Sequence, residues 1–251
     1  MIILNNDWEF NVLGVYNYKK DGPFSSLFNF VKENHDKIDG DIVESGVYKG
    51  SSLLAMGLLL KEIGSSKKVY GFDSFSGFPP VFHNYDDVSM FTKLFNDNRI
   101  SRQHYDFVQR NIKWRETFLE QKVNVNNISS SENFSNTNLD LIYKKMKLLE
   151  LDNIELIDGV FSKTMAIERE NPKKVMAVLM DCDLYNSYMD TFNFVWSRLN
   201  NGGMIYLDEY YSLKFPGAKI ATEEFLEKKS GVLQMAKQKK GDFERWYIIK
   251  K

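Results

Sequence analysis

Two hydrophobic periods alternate along this chain. Short apolar runs bounded by charge or glycine recur at Ile42 and Val43, at 68–75 (KVYGFDSF), 154–157 (IELI), 175–180 (VMAVLM) and 204–207 (MIYL). Runs this short predict buried strands. Between them lie stretches at helical spacing. Residues 25–38 place Leu27, Phe28 and Val31 together, with Ser25 and Ser26 as caps and Gly40 as the stop. Residues 51–64 (SSLLAMGLLLKEIG) are apolar nearly all round, which predicts a helix buried against a sheet. Residues 139–151 carry Leu139, Ile142, Met146, Leu149 and Leu151 on or near one face. A short helix over 162–170 (SKTMAIERE) is ended by Pro172. A longer one over 189–200 turns Met189, Phe192, Val195, Trp196 and Leu199 inward and is closed by Asn201-Gly202-Gly203. Another over 217–229 buries Ala218, Ala221, Phe225 and Leu226. The last two extended runs, VLQMAKQ and FERWYIIK, are joined by KKGD and predict a hairpin with a Gly-Asp turn. Strands alternating with helices predict a doubly wound, Rossmann-like α/β sheet. Residues 41–73 form a βαβ unit with a right-handed crossover.

The pattern fails from Gly77 to about Asn153. FPP is followed by polar sequence with scattered aromatics, among them Phe82, His83, Tyr85, Phe91 and His104, and 123–138 is rich in Asn and Ser. Residues 78–138 therefore read as a loop-rich insertion. Loops this long inside a compact domain are uncommon unless functional, as in a lid over a substrate site. Residues 1–39 form an N-terminal segment whose readable element is the helix over 25–38. The whole of 1–251 reads as one domain.

Composition narrows the class. The chain has 251 residues, 43% hydrophobic and 27% charged, as in ordinary globular proteins. A net charge of −1 gives no electrostatic reason to expect nucleic acid or an anionic membrane as partner. Cys182 is the single cysteine, so no internal disulfide can form. The start, MIILNNDWEF, lacks the basic region and apolar core of a signal peptide. The apolar stretch 53–60 falls far short of the ~20 residues that span a bilayer. A soluble, cytoplasmic location is the expectation.

Candidate chemistry collects at strand ends. Residues 178–187 (VLMDCDLYNS) end a strand in Asp181 and Asp183, and 204–209 (MIYLDE) end another in Asp208 and Glu209. In open parallel sheets, ligands bind outside the carboxyl ends of the strands. Crowded carboxylates repel unless solvated, protonated or neutralised by a cation. The oxygen set Asp181, Asp208 and Glu209 suits Mg²⁺ or another divalent ion better than zinc. The competing reading has Asp183 capping the next helix and Glu209 facing solvent. ESGVYKG (44–50) follows a strand and opens a helix, so its glycines and free N–H groups can receive an anionic group, although a plain tight turn fits as well. Its G-x-x-x-G spacing does not match the dinucleotide fingerprint. Asp73, ending the next strand, can accept both hydroxyls of a ribose or be a surface turn residue. His83 and His104 in the insertion are candidate bases, against a structural role. His35 reads as a surface residue.

These segments together resemble class I S-adenosylmethionine-dependent methyltransferases, and within them the macrocin O-methyltransferase (TylF/MycF/NovP-like) family. DIVESGVYKGSS, VYGFDSFSGFPP, IELIDGVFSKTM, MDCDLYNSYMDTF, GGMIYLDEY and PGAKIATEEF carry the resemblance, in order, over most of 40–226. It implies a seven-stranded sheet with a reversed last strand. By position it implies that Glu44, Ser45, Gly46, Gly50 and Ser51 line the methionine end of the cofactor and that Asp73 holds its ribose. Ser74, Asp158 and Gly159 would lie near the adenine. Asp181 would touch the cofactor and, with Asp208 and Glu209, hold magnesium, with Asp183 as general base. The family usually has Asp-Asp at 208–209 and Asp-Gly-Asp at 181–183, so Glu209 and Cys182 are departures.

The implied activity is methyl transfer to a hydroxyl of a sugar in a natural product or glycan, activated by the divalent ion. The alternatives are a catechol-type phenolic O-methyltransferase and a non-catalytic module retaining the cofactor fold. A homo-oligomer is left open.

Overall fold

Seven strands make one sheet in the order β3-β2-β1-β4-β5-β7-β6. They are β1 Asp41–Ser45, β2 Val69–Asp73, β3 Ile154–Asp158, β4 Val175–Met180, β5 Leu199–Leu207, β6 Gly231–Met235 and β7 Trp246–Lys250. The computed structural model describes residues 2–166, 168–236 and 243–251. β1 to β5 run parallel to one another, and β7 runs antiparallel to both β5 and β6. The expected reversed strand and the terminal hairpin are both present. The Gly-Asp turn proposed to join that hairpin lies outside the described residues.

Side chains alternate across the sheet, as the pleat requires. Ile42, Met176, Leu179, Met204 and Tyr206 face one buried layer, and Val43, Val178, Met180, Ile205 and Leu207 face the other. The first layer is covered by α1 Asp7–Leu13, α2 Ser25–Asn34, α3 Ser51–Glu62 and, later in the chain, Ile142 and Met146 of α6 Leu139–Leu148. α3 is buried from Ser52 to Leu60, which explains its apolar character on every face. The second layer is covered by α7 Phe161–Thr164, α8 Tyr185–Trp196 and α9 Gly217–Leu226.

Three expectations are corrected. The insertion is not loop throughout: it holds α4 Met90–Asn96 and the 18-residue α5 Arg102–Leu119, and α6 Leu139–Leu148 follows it. α5 buries only His104 and Val108, so its sequence lacks the apolar stripe that announces a helix. The helix proposed over 162–170 is α7, which ends at Thr164 after four residues. Asn201-Gly202-Gly203 does not close a helix but lies within β5, where a Cβ on Gly203 would stand 2.9 Å from the Met176 carbonyl oxygen. Among the described residues, no helix is long and apolar enough to cross a membrane.

Candidate active site

The β1 end and its glycine turn are fixed by one carboxylate. Asp73 Oδ2 accepts the backbone N–H groups of Val47 (2.7 Å) and Tyr48 (2.9 Å), and Oδ1 accepts that of Phe75 (2.7 Å). The loop amides expected to be open to an anion at 47 and 48 are therefore engaged by the protein itself. Each carboxylate oxygen has two acceptor sites, so Oδ1 retains one for a further donor. Gly46 has φ +88, and a Cβ there would lie 1.7 Å from the Asp181 carbonyl oxygen. That close approach brings the β1 turn against the end of β4. Glu44 sits beneath, 2% exposed, its Oε1 accepting from Ser52 Oγ at 2.7 Å. Burial pushes its carboxyl up to about 8, with the charge of Asp73 adding to the effect. Ser45 is fully buried; its hydroxyl faces the Leu179 carbonyl (3.4 Å) and Cys182 Sγ (3.6 Å). Gly50 starts α3 at φ +79, and Ser51 is tied through its carbonyl to the Tyr16 N–H at 3.1 Å.

The parallel ladder continues past the strand ends. Asp181 N–H donates to the Ser45 carbonyl and Asp208 N–H to that of Met180, both at 2.9 Å. This sets Asp181 and Asp208 side by side, and Asp181, Asp208 and Glu209 present carboxylate oxygens within 4.8 Å of one another. Burial pushes Asp181 far up, and the charges of Asp208 and Asp183 push it further. Glu209 is driven up by burial and then by Asp183, Asp208 and Asp181. It does not face solvent: it is 6% exposed, and Oε2 accepts from the Tyr188 hydroxyl at 2.8 Å. Arg245 Nη1 pairs with Asp208 Oδ1 at 2.9 Å. The hard oxygen donors, their convergence and their mutual repulsion fit a divalent cation.

Asp183 has φ +59, a left-handed conformation that aspartate tolerates better than most residues. Burial raises its carboxyl to about 7, while Lys214 works in the opposite direction. It does not cap α8: Leu184 is the N-cap residue, and the Tyr185 N–H donates to Asp86 Oδ1 of the insertion at 2.8 Å. Asp86 is 1% exposed, also accepts the His83 N–H (3.2 Å), and is pushed up by burial to about 6. It thereby pins the insertion to the core. Arg99 adds a second pin, pairing with Glu223 of α9, which Lys219 of the same helix also binds.

A cavity of about 560 Å³ opens over these strand ends. Gly46, Asp73, Ser74, Asp181 and Asp183 line it, as do Phe78 and Phe134 of the insertion. Asp158 ends β3 level with Asp73 but is exposed, and with Gly159 it stands beside the lining residues Val160, Phe161 and Ser162. Sequence reasoning missed Asn186 and Asp190, whose i, i+4 spacing on α8 puts both on the cavity wall. It also missed Tyr188, Asp86 and Arg245, whose partners come from distant segments. His104 is not brought to the cavity. Its Nε2 lies 2.7 Å from the Ser212 carbonyl and its ring stacks on Tyr211 at 4.0 Å, so it packs α5 onto the loop after β5. Burial holds its pKa below the ordinary value. His83 stacks on Tyr185 at 4.3 Å, and its Nδ1 accepts the Tyr85 N–H.

Comparison with known proteins adds chemistry to this geometry. The family model described as macrocin O-methyltransferase (TylF) matches residues 26–130 and 116–237. The chain is 25% identical over 177 residues to a Streptomyces olivaceus 8-demethyl-8-(2,3-dimethoxy-alpha-L-rhamnosyl)-tetracenomycin-C 4'-O-methyltransferase, covering 70% of this chain and 54% of that one. It is 26% identical over 192 residues to the Streptomyces niveus demethyldecarbamoylnovobiocin O-methyltransferase, covering 76% and 59%. The chain thus spans between half and two thirds of these relatives. In fold it is similar to the O-methyltransferase NovP, with TM-score 0.59, 16% identity and coverage of 90% and 79%. It is also similar to a Bacillus cereus O-methyltransferase solved in complex with SAH, with TM-score 0.53, 13% identity and coverage of 100% and 94%.

Proposed function

The chain belongs to the macrocin O-methyltransferase (TylF) family, and from that premise we propose that it methylates a sugar hydroxyl of a glycosylated natural product or glycan, using S-adenosylmethionine and a divalent ion. One observation carries the reading. Asp181, Asp208 and Glu209 bring carboxylate oxygens within 4.8 Å of one another, and Asp181 and Asp183 line a cavity whose lining also includes Gly46 and Asp73. The relatives' names, with their rhamnosyl and novobiocin acceptors, support the sugar.

When bound, S-adenosylmethionine supplies an electrophilic methyl group and a divalent ion such as Mg²⁺ acidifies a hydroxyl that it binds. Asp181, Asp208 and Glu209 hold the ion, with Tyr188 orienting Glu209 through its hydroxyl. Asp183, raised to about 7 by burial, would accept the proton of the acceptor hydroxyl. Asp73 braces the glycine turn and offers its remaining acceptor site to a ribose hydroxyl. Glu44, Ser45, Gly50 and Ser51 support that turn from beneath. Ser74, Asp158 and Gly159 border the adenine end, while Asn186 and Asp190 offer hydrogen bonds to a bound ligand. No covalent intermediate with the enzyme is needed, so positioning supplies much of the rate. The insertion, pinned by Asp86 and Glu223, covers the acceptor. His104 has no catalytic part in this scheme.

The test uses methyl-labelled S-adenosylmethionine with two acceptor panels, glycosides bearing free sugar hydroxyls and catechols, with and without EDTA. Label should reach a glycoside, stop on chelation and return with Mg²⁺. Full turnover after chelation removes the metal role, and labelling of catechols alone overturns the acceptor class. Calorimetry showing no binding of S-adenosylmethionine would overturn the activity itself.

A further inference from the structure

The sheet topology delivers a cation to the acidic centre. In the antiparallel β5–β7 pair, Leu207 stands opposite Trp246, so the next position along each strand sets Asp208 opposite Arg245. Only the reversed strand can do this, because it begins at the edge where the parallel strands end. Arg245 Nη1 binds Asp208 Oδ1 at 2.9 Å and approaches the Asp208 carbonyl at 3.3 Å. The two side chains are 24% and 21% exposed, so water screens the pair only partly. The phenols of Tyr16 and Tyr206 each feel the charges of Asp181, Asp208 and Arg245 together, so the guanidinium acts on the same surroundings as two of the three carboxylates.

We infer that Arg245 is the built-in counter-cation of this centre, a positioning residue that holds Asp208 and, by sharing it, sets how tightly a divalent ion binds. The inference rests on the metal reading proposed above. A divalent ion and one guanidinium together balance three carboxylates. When the ion is away, Arg245 keeps one of the three carboxylates neutralised and the cluster assembled. When the ion arrives, the fixed positive charge opposes it, which weakens binding and keeps the site exchangeable.

The test is calorimetric titration of MgCl₂ into EDTA-stripped, dialysed protein. The variants are Arg245→Gln, Arg245→Lys and Lys174→Gln. The last also removes one positive charge, but from an ion pair with Asp39 beside the amino ends of β1 and β4. Arg245→Gln should bind Mg²⁺ about tenfold more tightly, and the other two should stay within about twofold of wild type. Without the ion, Arg245→Gln should melt lower than wild type, and Mg²⁺ should raise its melting temperature more. In the wild type, the Arg245 Nε–H resonance, assigned by its loss in Arg245→Lys, should shift with the midpoint of the heat. That arm stands even if the glutamine variant does not fold. Equal or weaker binding in Arg245→Gln, or an unmoved Arg245 resonance, overturns the inference. Mg²⁺-dependent turnover with unchanged affinity in Arg245→Gln defeats this inference alone. Tighter binding in that variant with turnover that survives chelation defeats only the metal role. Heat from neither protein defeats both.

Discussion

The two acidic ends of the site are built on opposite principles. Asp73 is surrounded by donors: three backbone N–H groups from two turns converge on its oxygens within 2.9 Å. Asp181 and Glu209 are surrounded by other acids, and burial with mutual repulsion drives both carboxyls well above their ordinary range. The first arrangement stabilises the fold as it stands. The second is unfavourable while its carboxylates are all charged and is relieved by a proton or by positive charge, the mark of a place where stability has been traded for chemistry.

The sharpest way to break this contrast is to remove a charge from each side. Asp183→Asn should lower kcat/KM by about 10³-fold, the scale of a lost general base. The EDTA-treated variant should not melt below wild type, because a repelling charge has gone. Asp73→Ala should do the reverse in stability, losing about 3 kcal/mol as its three N–H partners are stranded, with weaker S-adenosylmethionine binding. Thermal melts and calorimetry on the two variants decide it. If both melted lower by similar amounts, the distinction between a satisfied and a crowded end would be wrong.

Glu44 offers a smaller effect with a definite sign. Its ordinary value is 4.5, and burial raises it in the fold to about 8. The folded state therefore holds this proton more tightly than the unfolded state. The stabilisation is complete below the unfolded value and is lost as pH rises through the folded one. Between pH 4.5 and about 8 the protein should lose stability on alkalinisation, contrary to the usual trend for paired carboxylates. Glu44→Gln, which can still receive the Ser52 hydroxyl, should make this slope shallower across the window, leaving the share that Asp86 and Asp183 contribute as burial raises them to about 6 and about 7. A melting series across pH reads the slope, and an unaltered slope in the variant would place the effect elsewhere.

What could be read from the chain follows from how local each signal is. The strands were legible because five to nine residues carry their whole pattern. Asp73, Asp181 and Asp208 were legible as candidates because strand ends are where ligands collect. Glu209's burial was not, since it depends on the hydroxyl of Tyr188 two elements away. Arg245 was hidden for a deeper reason: its pairing with Asp208 requires the register of a reversed strand, which no local pattern encodes. In the insertion, α5 escaped notice because a helix lying on a pre-existing surface need bury only two of its residues. Asn186 and Asp190 were within reach, because their spacing on a recognisable helix already put them on one face.

His104 tests the remaining boundary, between the site and the layer that covers it. Histidine in a mobile-looking stretch over a reaction centre invites a role as a base, yet its ring is committed twice. Nε2 meets the Ser212 carbonyl at 2.7 Å, and the ring plane stacks on Tyr211 at 4.0 Å. Burial lowers its pKa, so the neutral form, with Nε2–H donating to the carbonyl, suits this position. His104→Phe keeps a ring for stacking and deletes the donor. The Ser212 carbonyl is left short of a partner, and the cost should be about 1 kcal/mol. Turnover should stay within about twofold and the pH–rate profile should keep its shape, since Asp183 rather than His104 carries the proton. A loss of activity comparable to that of Asp183→Asn, with folding intact, would move the base from the sheet edge into the insertion.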